Sequence, residues 1–241
     1  GLVGQNLVLM LCESGYRQVV AIDKQSRNLE LLRRLNPRVR TIEADLAVPG
    51  RWQAELEGAN CAVVLHAQIT APTSGPFVRN NIDASRIVFE TLAAHGVPYT
   101  VHVSSSVVNS VADDDYTNTK KAQEQLFLQS GLPGCVLRPT LMYGWFDPKH
   151  LGWLARFMEK SPVFPVPGHG RYMRQPLYER DFCRAILWCV ENRPIGAIYD
   201  LVGSDRVNYV DIIRAIRDVR NLRTRIVHLP VPLFAALLRI Y

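Results

Sequence analysis

Apolar residues recur along this chain in two alternating rhythms. Leu7, Val8, Leu11 and Cys12 fall at helical spacing and predict a helix over 3–14, stopped by Gly15. A short apolar run at 19–22 then predicts a buried strand ending at Asp23. The alternation continues: a helix over 29–35 broken by Pro37, a strand over 39–43, a short helix over 52–56 and a strand over 61–66. A long helix follows over 80–95, with Gly96 beyond it, then a strand over 100–103, a helix over 116–130 and a strand over 134–137. The pattern loosens after that. It predicts a helix over 151–159, an extended stretch around Pro162, Pro165 and Pro167, helices over 181–191 and 210–219, and a strand over 198–202.

Strands alternating with helices at this spacing imply crossover connections and a parallel sheet. The expected fold class is therefore α/β, a doubly wound parallel sheet with helices on both faces. Its ligand belongs at the carboxyl ends of the strands. The domain reading is a nucleotide-binding domain over 1–140 and a smaller C-terminal lobe over 141–241, interleaved with the first.

Composition narrows the class further. The chain has 241 residues, 48% hydrophobic and 21% charged, which excludes a disordered or low-complexity protein. The excess of 28 Lys+Arg over 22 Asp+Glu is mild and spread along the chain. It reads as solvated helix faces rather than a nucleic-acid stripe. Five cysteines with no CxxC read as small core residues of a reduced, cytoplasmic protein. No apolar run reaches the length of a membrane span. His66, His102, His150 and His169 stand at no metal-ligand spacing, so no metal is expected.

Two groups of residues carry candidate chemistry. Gly1-Leu2-Val3-Gly4 opens the first helix, where glycines let a pyrophosphate approach the backbone and free N–H groups bind it. Asp23 follows 19 positions after Gly4 at a strand end, placed to accept hydrogen bonds from ribose hydroxyls. A carboxylate there favours NAD over NADP, although Lys24 or Arg27 has the charge to accommodate a 2′-phosphate. Further on, Tyr116 and Lys120 lie one helical turn apart. An ammonium near the phenol is expected to lower its pKa, so that the tyrosine can move a proton as a hydride leaves or arrives. The serine run 104–106 ends the preceding strand and offers a second donor to the same substrate oxygen. Asp113-Asp114-Asp115 reads as a solvated turn and helix cap.

In this order and spacing the motifs resemble the extended short-chain dehydrogenase/reductases of the NAD-dependent epimerase/dehydratase group. Gly1 and Gly4 are similar to the last two glycines of that family's GxxGxxG turn. The strand and first glycine before it are accordingly expected to precede Gly1, and the chain is expected to stop inside an apolar helix at 237–241. Asp23 matches the ribose-binding acid and Asp45-Leu46 the adenine-side pair. Leu65-His66-Ala67-Gln68 resembles the segment after the fourth strand, with Gln68 a departure. Asn81 matches an asparagine of the long helix.

The resemblance implies Ser105, Tyr116 and Lys120 as catalytic residues, with Ser106 the alternative serine by one register. It places Ser104 and Arg138-Pro139 beside the cofactor, and Ser106, Tyr143 and Arg174 at the substrate. Arg174 begins an R-x-x-x-x-x-x-D segment ending at Asp181, and in sugar-nucleotide enzymes that arginine meets the diphosphate. Trp145 and Phe146 read as core packing or as an apolar wall beside substrate. Two departures stand out: the loop between Ser105 and Tyr116 is short for the family, and Asn109 occupies a position where tyrosine is common.

The function implied is NAD-dependent hydride transfer at a secondary alcohol of a nucleotide-diphosphate sugar, by a homodimer. Two other readings remain open. One is a hydroxysteroid-type dehydrogenase on an apolar alcohol, motivated by Trp145 and Phe146. The other is a non-catalytic dinucleotide-binding member of an assembly.

Overall fold

The computed structural model describes residues 1–147 and 149–238. In chain order its first elements are α1 (Leu2–Glu13), β1 (Val20–Asp23), α2 (Ser26–Leu35), β2 (Arg40–Glu43), β3 (Ala62–Val64), α3 (Gly75–Phe77) and α4 (Ala84–Ala94). Then come β4 (Thr100–Val103), α5 (Asp115–Gln129), β5 (Gly134–Pro139), β6 (Met142–Tyr143), α6 (Leu151–Lys160) and β7 (Val163–Pro167). The last are β8 (Met173–Arg174), β9 (Leu177–Tyr178), α7 (Glu179–Asn192), β10 (Ile198–Leu201), β11 (Val207–Asn208), α8 (Tyr209–Val219), β12 (Arg225–Leu229) and α9 (Val231–Leu238). The expected apolar helix at 237–241 is thus described as far as Leu238, and its last three residues lie outside the described residues. No helix among the described residues is long and apolar enough to cross a membrane.

The chain divides into two compact units. One comprises Val3–Thr140 and Glu179–Leu201, and the other Leu141–Tyr178 and the chain from Val202 onward. In the first unit every strand pairing is parallel. The order β10-β5-β4-β3 makes a four-stranded sheet, and β1 pairs separately with β2. All four residues of β4 are buried, as befits a strand covered on both faces. Trp52, Val64, Val88, Phe89, Leu92, Val97, Phe127 and Val136 form a core that joins this sheet to α4 and α5. Val8, Leu32 and Val39 form a second core between α1, α2 and the β1–β2 pair.

Two helices differ from the sequence expectation in ways that matter for the site. The helix expected over 80–95 begins at Gly75 and runs to Ala94, but it is π-helical over Val78–Asp83. Such turns widen a helix by about one residue and commonly occur at functional sites. Hydrophobic spacing does not reveal this, because the insertion breaks the 3.6-residue period it relies on. In α5 the Asp114 cap starts the helix and Gly131, at φ +70°, lies just beyond its end. Its buried face carries Thr117, Lys120, Gln123, Glu124 and Phe127. These occupy the i, i+3, i+4, i+7 stripe where apolar residues normally sit.

The second unit has its own small core of Met158, Phe164, Val166 and Ile213. There β12 runs parallel to β7 across the full register from Arg225↔Val163 to Leu229↔Pro167. No strand is predicted over 225–229, because Arg225 and His228 interrupt a run too short to show alternation. The glycines of the turn 167–170 take positive φ, +57° at Gly168 and +68° at Gly170.

One close approach fixes how β4 and β5 meet. Gly134 lies opposite Thr100, and a Cβ there would stand 1.9 Å from the Thr100 carbonyl oxygen. Gly134→Ala must therefore push apart two strands of the four-stranded sheet. It is expected to destabilise the protein by about 1–3 kcal/mol, the usual cost of overpacking a core, measured as a lowered urea midpoint.

Candidate active site

The Ser105–Tyr116–Lys120 constellation is assembled at the carboxyl end of β4. Ser104 and Ser105 leave the strand, and the Ser105 hydroxyl accepts the Val107 N–H at 3.4 Å to open a short 3-10 turn over Ser106–Asn109. Tyr116 stands in the first turn of α5. Its position depends on Asp114, whose carboxylate accepts both the N–H and the hydroxyl of Thr117, each at 2.9 Å. Those bonds hold the Asp114 carboxyl below its ordinary range. Burial pushes the Tyr116 phenol up, and a hydrogen bond with the Ser105 hydroxyl pulls it back down. Serine and tyrosine are therefore in direct contact.

Lys120 lies one turn further along, 1% exposed. Its ammonium donates to the Val103 carbonyl at 3.1 Å and to the Gln123 side-chain oxygen. Burial lowers it to about 7, with Glu124 opposing the shift. This corrects one expectation. In this structure Ser105, rather than Lys120, relieves the tyrosine, because the lysine ammonium is turned toward Val103 and Gln123.

Glu124 escapes a motif search but organises the next layer. It receives a forked contact from Arg138, whose Nε lies 3.0 and 3.2 Å from its two oxygens and whose terminal nitrogen also reaches it. The same guanidinium donates to Asn109 Oδ1 at 3.3 Å, and Asn109 in turn donates to Asp200 at 3.1 Å. Arg138 thus serves here to tie β5 to α5, with Pro139 buried at the end of the strand. The polar spacing Lys120, Gln123, Glu124 on a face that should be apolar is the signal that reveals the missed pair.

The predicted nucleotide-side residues gather at the ends of β1, β2 and β3. Gly1 N lies 3.9 Å from Asp23 Oδ2. Asp23 also accepts the Gln25 N–H at 2.9 Å and the Asn28 amide at 2.8 Å. Lys24 donates to Asn80 Oδ1 at 2.7 Å, and Arg27 stands exposed at the start of α2. Asp45 accepts the Ala47 N–H and Arg79 at 2.6 Å; burial raises its carboxyl, but these donors outweigh that and hold it low. Leu46 packs against the core. Past Ala67, the Gln68 backbone is gripped on both sides by the buried Asn81, which accepts its N–H at 2.6 Å and donates to its carbonyl at 3.1 Å. Asn81 also reaches Thr119 on α5 at 3.0 Å, so it links this loop to the tyrosine helix.

Three observations fit a dinucleotide at these residues. Neither Gly1 nor Gly4 has positive φ; a Cβ on Gly1 would meet nothing within 4 Å, and one on Gly4 only Leu65 Cδ1 at 3.8 Å. Protein packing therefore requires glycine at neither position. The first turn of α1 carries no acidic side chain and no side-chain cap, so the positive helix end stays uncompensated. At the other end of the site, the Ser104 hydroxyl is buried without a hydrogen-bond partner in the protein. Among the described residues no cluster of His, Cys, Asp or Glu is arranged to hold a metal.

Tyr143 and Arg174 belong to the second unit. Tyr143, on β6, packs its ring 5.6 Å from Tyr178 on β9. Arg174, on β8, pairs with Val207 of β11 and donates from its guanidinium to the Met173 carbonyl at 3.1 Å. Trp145 is 72% exposed, so core packing is not its role in this unit.

Parallel strands alternating with helices, and a serine, tyrosine and lysine at their carboxyl ends, define a Rossmann-type α/β protein of the short-chain dehydrogenase/reductase class. The chain belongs to the NAD dependent epimerase/dehydratase family, whose model matches residues 1–201. Among curated proteins it is 25% identical over 165 residues to a dTDP-glucose 4,6-dehydratase from an Actinoplanes species, covering 60% of this chain. The match spans 51% of that relative, about half its length. Among solved structures it resembles UDP-glucuronic acid 4-epimerase from Bacillus cereus in complex with NAD, at TM-score 0.83 and 21% identity over 95% of this chain and 83% of that one. It also resembles DesIV, a dTDP-glucose 4,6-dehydratase from Streptomyces venezuelae with NAD and TYD bound, at TM-score 0.82 and 20% identity over 95% and 82%. At these identities the solved structures establish the shared fold.

The buried lysine leaves a mark on stability. Its folded-state pKa of about 7 lies below the ordinary lysine value of 10.5. The penalty for burying the charge is therefore complete below pH 7. It is relieved as pH rises toward 10.5, by about 1.4 kcal/mol for each pH unit crossed. Lys120→Met removes that dependence. The Tm of the original chain is expected to gain on that of the variant steadily between pH 7 and 10, by a few degrees in all. Parallel Tm–pH curves for the two proteins would refute this account.

Proposed function

We propose that this chain is an NAD-dependent oxidoreductase of the epimerase/dehydratase type, acting on a secondary alcohol of a nucleotide-diphosphate sugar. The observation that carries the reading is the hydrogen-bonded Ser105–Tyr116 pair, with Lys120 one helical turn away at the carboxyl end of a parallel strand. NAD, bound along Gly1-Leu2-Val3-Gly4, Asp23, Asp45-Leu46 and Ala67-Gln68, would supply the hydride acceptor at its nicotinamide. Asp23 would take the ribose hydroxyls of its adenosine, which disfavours NADP.

Tyr116 is the acid/base. The phenol holds the proton in the resting protein because burial raises its pKa, and Ser105 moderates that rise. A substrate alcohol hydrogen-bonded to both oxygens loses its proton to the ionised Tyr116 and regains it on the return step. Lys120 contributes positive charge beneath the tyrosine and an ammonium for the nicotinamide ribose. Ser104, with its unpartnered hydroxyl, stands ready for a polar group of the cofactor. Arg174 is assigned to the substrate diphosphate, since a guanidinium matches phosphate geometry. The sugar nucleotides of the related structures support this substrate class. A homodimer is expected from the family pattern.

Tyr116→Phe removes the ionisable oxygen and leaves the shape. It is expected to cut kcat by at least a hundredfold on a responsive sugar nucleotide while NAD affinity changes less than threefold by calorimetry. Turnover surviving in that variant would end the assignment. Gly4→Ala makes the complementary test. Replacing glycine inside a helix is expected to leave the fold as stable or stabilise it by up to about 1 kcal/mol. The added methyl is expected to weaken NAD binding tenfold or more, and unchanged affinity would argue against a pyrophosphate at this turn.

A further inference from the structure

Beneath the catalytic helix lies a fully buried polar chain that the mechanism above does not use. Gln123, 0% exposed, is its centre. Its side-chain oxygen accepts from Lys120 Nζ. Its amide nitrogen donates to Ser85 Oγ at 2.7 Å and lies 3.3 Å from His66 Nε2 and 3.4 Å from the His66 carbonyl. His66 Nε2 and Ser85 Oγ are 2.8 Å apart.

The chemistry of the two ends fixes the direction of this chain. An ammonium only donates and a backbone carbonyl only accepts, so the amide can face in one sense alone: oxygen toward Lys120, nitrogen toward His66 and Ser85. Ser85 then accepts from Gln123 and donates to His66 Nε2, which makes His66 a neutral ring with its proton on Nδ1. Burial supports that state, lowering His66 to about 3, with Lys120 and Lys24 adding to the shift. Leucine or alanine would fill a buried helix position at less cost than an amide whose every bond must be satisfied.

We infer that Gln123 is a positioning residue for Lys120: its amide, oriented by Ser85 and His66, holds the ammonium against the Val103 carbonyl beneath Tyr116. This rests on the reading of Lys120 as part of the active site. Without Gln123 the ammonium keeps a single neutral acceptor in a place that excludes water, so its charged form loses support. The ionisable groups facing Lys120 are Glu124 on its own helix, itself tied to Arg138 of β5, together with His66 after β3 and His102 on β4. The two histidines are held neutral by burial. Gln123 is thus the neutral acceptor whose replacement changes the field at Nζ without adding or removing another ion.

Two variants with opposite signs test this. Gln123→Met removes the acceptor and is expected to move the Lys120 titration down by at least one pH unit. Gln123→Glu places a carboxylate there and is expected to move it up by at least as much. The titration is read by 15N NMR of lysine-labelled protein without cofactor, with the Lys120 signal assigned by its loss in Lys120→Met. The limb of the kcat–pH profile that reports Lys120 should move in the same two directions. At a pH above both midpoints, a midpoint lower by one pH unit means a tenfold loss of turnover. A purely structural role would lower Tm in both variants without moving the titration, and that result, or movement of the same sign in both, would overturn the inference. Should Gln123→Met not fold, Gln123→Glu decides alone: an upward movement supports the inference and no movement overturns it. Because the NMR readout needs neither NAD nor substrate, it stands apart from the functional reading, which fails instead if Tyr116→Phe keeps its turnover.

Discussion

The structure of the first unit turns on the burial of one positive charge. Lys120 has almost no contact with water, and an isolated buried ammonium is among the costliest groups a protein can hold. Nearly everything polar around α5 answers that cost. Val103 and Gln123 accept the ammonium's hydrogen bonds, Glu124 supplies the opposite charge at the next position, and Arg138 balances Glu124 in turn. The helix therefore presents a polar face to the core, and the apolar packing that should hold it is concentrated at Phe127 one turn further on.

The same arrangement separates two tasks that the sequence motif joins. The spacing of Tyr116 and Lys120 suggests that the ammonium acts on the phenol directly. In the folded protein the phenol meets Ser105, and the ammonium faces the floor of the site. The strand end at Val103–Ser105 serves both: its carbonyl takes the lysine and its hydroxyl takes the tyrosine. Three consecutive residues at one strand end thus set the relative height of the two catalytic groups.

Much of this is legible in the unfolded chain. The alternation of apolar runs locates the principal strands and helices of the first unit to within a few residues, because strands buried on both faces show as unbroken apolar segments. The Ser-Tyr-Lys spacing locates the site, since it depends on helix geometry alone. What stays hidden depends on pairs distant in sequence. The link between Gln123 and His66 spans 57 positions and that between Asn81 and Thr119 spans 38, and neither leaves a local pattern. The strand β12 is invisible for a related reason, as its partner β7 supplies the order that its own residues lack. The division of the parallel strands into a pair and a set of four is equally unreadable, because apolar content does not reveal which edges meet.

The π-helical turn over Val78–Asp83 has a consequence for how this chain can vary. It lets two consecutive asparagines address one loop: Asn80 donates to the Gln68 side chain at 2.9 Å, while Asn81 grips the Gln68 backbone. Losing a single residue here would restore a regular helix and rotate everything after it by about 100°. Ser85 would then swing away from Gln123, and the apolar residues Val88, Phe89 and Leu92 would leave the sheet. Substitutions in this segment are open to evolution one by one, but its length is not. Among chains that keep this helix packed against the same sheet, alignment gaps should be absent between Gly75 and Ala94 even where few side chains are shared.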